Sequence, residues 1–233
     1  MLLNRKSVEL LAPAGTWDAL VAGVESGADA VYLGGKHFNM RMHEGGFNFD
    51  DATLKKAIDY AHAHGVRLYV TLNNLISNEE IPALREYLAY LNEIRPDALL
   101  VQDFAVLELV HEMGITIPLH TSVMMNTHNE HAIEKLKEYG ITRIVVGREM
   151  TLSELSLFRE RTGIEVEYFM HGDMCISESG QCIHSGVLFG QSGNRGRCLK
   201  PCRWAYQLID EKTGEVLDED GPGAYKLAPK DMC

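Results

Sequence analysis

Cysteine is the residue type whose grouping in this sequence most clearly predicts chemistry. Four cysteines lie in one glycine-rich segment, at Cys175, Cys182, Cys198 and Cys202, and a fifth, Cys233, is the last residue. The spacing is Cys-x6-Cys-x15-Cys-x3-Cys, with one tight pair where a structural zinc site usually has two. Iron–sulfur clusters also need four thiolates and accept uneven loops. The segment therefore predicts an iron–sulfur site first, a zinc site second, and unligated or redox-active thiols third.

Basic and aromatic side chains surround these cysteines. The basic residues are Arg195, Arg197, Lys200 and Arg203. They could balance the charge of an anionic thiolate cluster, or they could bind nucleic-acid phosphates while Trp204 and Tyr206 stack on a base. A solvated basic loop with Trp204 in the core is the third interpretation.

A second set of polar residues follows the predicted strands. Functional groups of parallel α/β proteins collect where strands end at their carboxyl edge. The candidates at these ends are Asn73, Gln102, Ser122, Asn126, Arg148 and His171. Asn39 and Arg41 lie in a long loop closed by Gly45 and Gly46, a candidate substrate-binding loop or lid. We predict that the strand-end side chains converge on one cavity, although each alone is also an ordinary polar cap.

Residue patterns for peptide hydrolysis are weak. His-Glu pairs at 43–44 and 111–112 begin an H-E-x-x-H zinc motif but lack its second histidine, and no G-x-S-x-G occurs. Cys175 could pair with His171 or His184 as thiolate and imidazole. The residues themselves therefore favour redox chemistry over proteolysis.

Composition excludes several classes of protein. The 233 residues are 45% hydrophobic and 24% charged, which is typical of a folded globular chain and not of a disordered one. The 33 acidic and 22 basic residues give a net charge of -11, so any nucleic-acid binding must be local. The sequence shows no apolar stretch of secretory or membrane-spanning length. We expect a cytoplasmic protein, with a homo- or hetero-oligomer left open.

The elements that must position these residues alternate between strand and helix. Apolar, β-branched runs predict strands at 8–11, 30–33, 68–72, 98–101, 115–117, 143–146 and 164–169. Segments with helical spacing join them, which implies parallel strands and right-handed crossovers. The fold class is α/β, an incomplete (β/α)₈ TIM-like barrel of about seven units. A doubly wound sheet is the alternative, disfavoured because no G-x-G-x-x-G follows the first strand.

Local signals place the helix ends. Thr16, Asp50 and Thr151 are predicted N-caps, the last with Glu154 as a capping box. Three glycines are predicted to end helices: Gly65, Gly114 and Gly140.

Three regions follow from the change of composition near residue 170. Residues 1–170 predict the barrel-like domain, 171–204 a cysteine-rich metal or cluster loop, and 205–233 a short hairpin and tail. The turn at 212–215 marks the hairpin. Because no closing helix follows, we expect the tail to lead into a C-terminal domain beyond this chain.

Three motifs resemble the collagenase-like peptidase family U32. They are the stretch 9–15, the stretch 27–32, and above all Glu167-x-Phe169-x-x-Gly172-x-Met174-Cys175-x4-Gly180-x-Cys182-x-x-Ser185. The resemblance covers nearly the whole chain. It implies a barrel-like domain followed by a further C-terminal part. It also implies cluster ligands at Cys175, Cys182, Cys198 and either Cys202 or Cys233.

Members similar to this chain are iron–sulfur proteins that serve hydroxylation of tRNA or rRNA bases or of a ubiquinone precursor, while others carry only a protease label. The resemblance therefore implies an iron–sulfur enzyme, with a four-iron cluster, that supports hydroxylation of an RNA base or a small aromatic precursor. A collagenase-like peptidase acting on peptides is the runner-up. A zinc-stabilised RNA-binding module without catalysis is the third hypothesis.

Overall fold

Seven parallel strands in sequential order form the sheet. A computed structural model describes residues 8–217, 225–228 and 231. The strands are β1 (Leu11–Pro13), β2 (Ala30–Gly34), β3 (Arg67–Leu72), β4 (Ala98–Val101), β5 (Leu119–Thr121), β6 (Ile141–Val145) and β7 (Glu165–Glu167). Each strand pairs with the next, in the order β1-β2-β3-β4-β5-β6-β7. The sheet curls into a half-barrel, which confirms the predicted incomplete TIM-like fold.

Helices follow the strands as a parallel sheet requires. They are α1 (Trp17–Glu25), α2 (Asp51–Ala63), α3 (Ile81–Ile94), α4 (Phe104–Glu112), α5 (Glu130–Glu138), α6 (Leu152–Thr162) and α7 (His184–Phe189). The predicted N-caps are confirmed, because Thr16, Asp50 and Thr151 each accept a hydrogen bond from the backbone N–H three residues later. Left-handed glycines follow α2, α4 and α5: Gly65, Gly114 and Gly140.

The predicted fifth strand at 115–117 is wrong. Ile115 and Ile117 are buried in the connection after α4, and the observed strand is Leu119–Thr121, immediately after Pro118. The two isoleucines belong to the layer between sheet and helices, so their apolar pattern is real but does not mark a strand. His120 sits in the middle of β5, which gave that strand a weak apolar signal.

Two layers of side chains pack on the sheet. The large outer layer lies between strands and helices and includes Leu20, Leu54 and Leu84, each completely buried. The small inner layer lines the half-barrel, with Ala30, Ala98, Leu100 and Val145 as its buried apolar members besides Tyr69. Leu11, Tyr32, Val123 and Phe169 pack against this layer partly buried. Arg143 and His120 lie beside Tyr69 in it, so the interior of this sheet combines apolar with buried polar side chains.

The chain after β7 is irregular. The short helix α7, which the sequence analysis missed, lies in the cysteine-rich segment. A two-residue antiparallel bridge between Ile209 and Val216 forms the narrow hairpin expected around the turn at 212–215. The longest helix in the described residues is α3, and none there is both long and apolar enough to cross a bilayer.

Candidate functional site

Strand-end side chains meet at the carboxyl edge of the sheet, here called the mouth. Asn73, after β3, donates from Nδ2 to Ser122 Oγ, after β5, at 3.1 Å. The Asn73 Oδ1 accepts from the Met40 N–H at 3.2 Å, in the loop after β2. The connections after β2, β3 and β5 are thus joined by one amide. This part of the predicted convergence is visible as direct contact.

Asn39 supports the loop after β2 from within. It is only 1% exposed, its Nδ2 donates to the Gly35 carbonyl at 2.7 Å, and its Oδ1 accepts from the Arg41 N–H at 2.8 Å. Gly196 of the cysteine-rich segment packs on the Asn39 carbonyl so closely that a Cβ would lie 2.7 Å from it. Asn39 therefore shapes the loop that the cysteine-rich segment touches.

Several polar atoms that follow the strands are buried without a hydrogen-bond partner among the described residues. They include Gln102 Oε1, Asn126 Oδ1, Arg148 Nε and both amide atoms of Asn74. The Arg148 guanidinium lies over the Phe169 ring, 4.1 Å from its centroid. Because buried polar groups are nearly always paired, such atoms point to a ligand or ordered water.

The cysteine-rich segment is fixed to the barrel by polar contacts. Arg195 donates to both carboxylate oxygens of Glu80, at 2.7 and 2.8 Å, and also to the Leu75 carbonyl. The Leu75 N–H donates back to the Asn194 carbonyl at 2.9 Å. The hydrogen bonds from Arg195 lower the pKa of Glu80 to about 2. Arg195, predicted as a binding residue, is thus engaged within the chain.

A second anchor, Glu149, holds the segment on the opposite side. Its carboxylate accepts from the Ser179 N–H at 3.1 Å and from the Ser179 hydroxyl at 3.2 Å, and it lies 2.9 Å from His128 Nε2. Between Arg148 and the stretch 174–179 lies a cavity of about 200 Å³, and Cys175 is one of its lining residues. The cavity joins the mouth to the first cysteine.

The four clustered cysteines share one neighbourhood. All four are free thiols, with Cys175 and Cys198 exposed and Cys182 and Cys202 half-buried. Burial raises the pKa of Cys202, and the nearby thiols of Cys198, Cys175 and Cys182 raise it further, so all four lie within electrostatic reach. In the described part of the chain, no three His, Cys, Asp or Glu side chains form a group compact enough for a single ion. Cys233 lies outside the described residues.

Basic side chains at the edge of the mouth differ in how they are used. Arg203 is paired with Asp231 at 2.6 Å and donates to the Met174 carbonyl at 2.7 Å. Three others form an exposed basic rim: Arg41, Arg197 and Lys200. The rim contacts the loop after β2, where Arg197 Nε lies 3.2 Å from His43 Nε2 and Lys200 Nζ lies 3.6 Å from a Glu44 oxygen. His171 is exposed just after β7.

Sequence reasoning missed a charged group inside the half-barrel. Arg143 on β6 donates to Glu9 at 2.5 Å and to Glu165 at 2.8 Å, and Glu167 lies 3.7 Å away. The Tyr69 hydroxyl also donates to Glu9, at 2.9 Å. The signal was present, because Glu165 and Glu167 alternate with apolar residues in β7 and so face one side of the sheet.

Comparison with known proteins gives a family and its relatives. Residues 15–233 match the model of peptidase family U32. The chain is 32% identical over 231 residues to tRNA hydroxylation protein P1 of Bacillus subtilis (strain 168), covering 97% of this chain and 54% of that protein. It is 35% identical over 219 residues to the 23S rRNA 5-hydroxycytidine C2501 synthase of Escherichia coli (strain K12), covering 93% of this chain and 32% of that enzyme.

A solved structure agrees on the fold. The U32 peptidase Mk0906 matches with a TM-score of 0.60 at 16% identity, over 72% of this chain and 70% of that one. The chain spans about half the length, or less, of the two curated relatives named above. The family match covers nearly all of the chain and confirms the resemblance inferred from its motifs. The chain belongs to peptidase family U32.

Proposed function

We propose that this chain is the iron–sulfur-binding part of an enzyme that hydroxylates an RNA base. The observation that carries the proposal is the position of four neighbouring thiols beside a polar mouth, with one cavity joining Cys175 to Arg148. Two relatives named for tRNA and rRNA hydroxylation support the choice of substrate. Such a substrate would place the protein in the cytoplasm.

The donor set suits an iron–sulfur cluster. Cys175, Cys182, Cys198 and Cys202 would hold it, and four thiolates are the usual ligands of such clusters. The uneven spacing of the four cysteines, with one tight pair where zinc sites usually have two, favours a cluster over zinc. The Lys200 N–H donates to Cys198 Sγ at 3.3 Å, the kind of contact that tunes a cluster. When bound, the cluster supplies electron transfer.

The basic rim would bind the RNA backbone. Arg41, Arg197 and Lys200 are exposed, and Arg41 and Lys200 share one carboxylate, Glu44, at 2.5 and 3.6 Å. Arg195 and Arg203 each have a carboxylate of their own, Glu80 and Asp231. Phosphate contacts of this kind give affinity without reading sequence. Trp204 is 43% exposed, which leaves an aromatic face for stacking on a base.

The mouth would hold the base that is modified. Gln102, Asn126 and Arg148 have buried polar atoms that lack partners among the described residues, and a flipped-out base carries donors and acceptors on its edge. Asn73 and Ser122 position each other at the same edge. A small aromatic precursor would fit the same groups, so the two substrates must be separated by experiment.

The peptidase alternative has less support in the site. Among the described residues, no serine or cysteine forms a hydrogen bond with a histidine, including the Cys175–His171 and Cys175–His184 pairs that the sequence allowed. A histidine is the commonest base that activates a serine or cysteine nucleophile.

The experiment is complementation in a strain that lacks the gene, using the full-length protein. Mass spectrometry of nucleosides from tRNA and rRNA should show a hydroxylated base that disappears on deletion and returns with the wild-type gene. The Cys182→Ala variant should not restore it. Unchanged nucleosides with a missing small aromatic product would redirect the proposal to that precursor. The proposal would be overturned in favour of the peptidase if the metal-free protein cleaves peptides and deletion changes neither the hydroxylated nucleoside nor the small aromatic product.

A further inference from the structure

One carboxyl inside the half-barrel is left without a full partner. Arg143 donates to Glu9 at 2.5 Å and to Glu165 at 3.0 and 2.8 Å, which uses its nitrogens on two carboxylates. Glu167 lies farther off, at 3.7 Å from Arg143 Nη1. Its Oε2 is buried and has no hydrogen-bond partner among the described residues. Glu167 is therefore the weakly held member of the group.

Charge counting gives the same result. Glu9, Glu165 and Glu167 face two guanidinium groups, Arg143 and Arg67, the second of which pairs with Glu9. The Glu165 side chain is 68% exposed and solvated, whereas Glu9 and Glu167 are 14% and 16% exposed around Arg143. A proton on Glu167, the less well paired of these two buried carboxyls, removes the repulsion between them. Burial raises the pKa of Glu167 to about 7 and the charge on Glu9 adds to the rise, although Arg143 opposes both.

Glu167 is linked to the mouth through Tyr32. Tyr32 and Phe169 pack against the same inner cluster, and the ring centroid of Phe169, two residues after Glu167, lies 4.1 Å from the Arg148 guanidinium. Burial and the charge on Glu167 raise the pKa of the Tyr32 hydroxyl, while Arg41 and Arg148 lower it. Arg148 also lines the cavity that contains Cys175. The Tyr32 hydroxyl forms no hydrogen bond within the described part of the chain, while the Glu167 side chain keeps 16% of its surface exposed. Both groups thus lack a hydrogen-bond partner among the described residues, and a ligand must uncover the buried Oε2 of Glu167 to reach it.

We propose that Glu167 is a catalytic carboxyl that exchanges a proton with the substrate bound in the mouth, and that Tyr32 donates a hydrogen bond beside it. In the forward transfer the O–H bond of Glu167 breaks, its electron pair stays on the carboxylate, and the proton bonds to a nitrogen or oxygen of the substrate. The reverse transfer restores the acid. The step changes no oxidation state, so it needs no oxidant. The identity of the substrate, an RNA base, rests on the proposed function.

Glu165 provides a matched control. It lies on the same strand, two residues earlier, and pairs with the same guanidinium at 2.8 Å. Its side chain is 68% exposed, against 16% for Glu167. Glu165→Gln and Glu167→Gln therefore make the same replacement of a carboxyl by an amide beside Arg143 but differ in burial. An effect confined to position 167 cannot come from weakening Arg143 in general.

The test has a spectroscopic and a cellular part, both with the full-length protein. Infrared difference spectra across neutral pH should show a carboxylic acid band that is lost as pH rises through about 7. The band should be absent in Glu167→Gln and kept in Glu165→Gln. After induction in the deletion strain, Glu167→Gln should slow accumulation of the hydroxylated nucleoside by about 100-fold or more, as loss of a general acid–base does. Glu165→Gln should match wild type.

The outcomes separate this inference from the function it rests on. If wild type restores the nucleoside and Glu167→Gln does so equally well, the role of Glu167 is refuted and the function stands. If wild type restores nothing, both are refuted. Tyr32→Phe serves as the second variant should Glu167→Gln fail to fold, and it should slow accumulation while leaving the carboxyl band in place. Accumulation at the wild-type rate in Tyr32→Phe would refute the role of the hydroxyl.

Discussion

Arg195 is expected to act as a clamp on the cysteine-rich segment and not as a phosphate contact. It reaches both oxygens of Glu80 at 2.7 and 2.8 Å. Hydrogen bonds to charged groups contribute about 1.5–3 kcal/mol, and partial exposure of about 30% on both side chains places this pair in the lower half of that range. Arg195→Ala should therefore raise local opening of the segment by roughly tenfold, about 1.4 kcal/mol.

Hydrogen exchange at amides of residues 193–197 measures this opening. Arg197→Ala is the control. Its side chain is exposed and, among the residues that the structure describes, contacts His43 alone, so the change in opening free energy should be less than about 0.5 kcal/mol. A double-mutant cycle with Glu80→Gln isolates the pair, since glutamine can still accept from the Ser77 N–H. The clamp is refuted if Arg195→Ala leaves hydrogen exchange unchanged and weakens RNA binding as strongly as Arg197→Ala does.

The clamp also has a defined pH dependence. The folded pKa of Glu80 is about 2, below its usual value of 4.5, because Arg195 stabilises the charged form. Its contribution to stability is therefore complete above about pH 4.5 and is lost as the pH falls from there toward 2. The difference between wild type and Arg195→Ala should shrink over that interval. A difference that stays constant down to pH 2 would show that the ion pair is not its source.

Four further outcomes test other parts of the structure. Gly180 has φ +76 and a Cβ there would overlap the Met124 carbonyl oxygen, so Gly180→Ala should displace the cysteine-rich segment and reduce iron content per chain. Thr151→Ala should cost about 1 kcal/mol in urea unfolding by removing the N-cap of α6. Arg197→Glu should weaken tRNA binding, with a smaller slope of log affinity against log salt. Arg148→Ala should reduce hydroxylated nucleoside in complemented cells with little change in melting temperature, because among the described residues Arg148 forms no ion pair.

Much of the fold could be predicted because local and global signals agree. The N-caps and the closing glycines bracket helices whose apolar faces fill the outer layer, and the strands between them read as continuous apolar runs. The prediction of the fifth strand failed because Ile115 and Ile117 are buried in a connection between elements. The true strand β5 has a polar residue, His120, that packs against Tyr69. Apolar pattern reports burial, and burial alone does not distinguish a strand from a packed loop.

The candidate site was predictable only in part, because residue type does not reveal a partner. Arg195 and Arg197 look equivalent in the sequence, yet one is paired with Glu80 and the other is exposed. Glu167 lies in the motif that carries the family resemblance, but its isolation depends on Glu9, more than 150 positions away, taking the better contact with Arg143. Competition between carboxylates for one guanidinium can be recognised only when the strands that carry them have been assembled into the sheet.

Iron and sulfide analysis of the full-length protein, purified without oxygen, tests the central claim most directly. We expect about four irons and four sulfides per chain, held by Cys175, Cys182, Cys198 and Cys202. Cys202→Ser should lose the iron and the absorbance band near 400 nm expected of such a cluster, while Cys233→Ser should keep both. Wild-type protein with zinc in place of iron, or loss of iron in Cys233→Ser but not in Cys202→Ser, would contradict it.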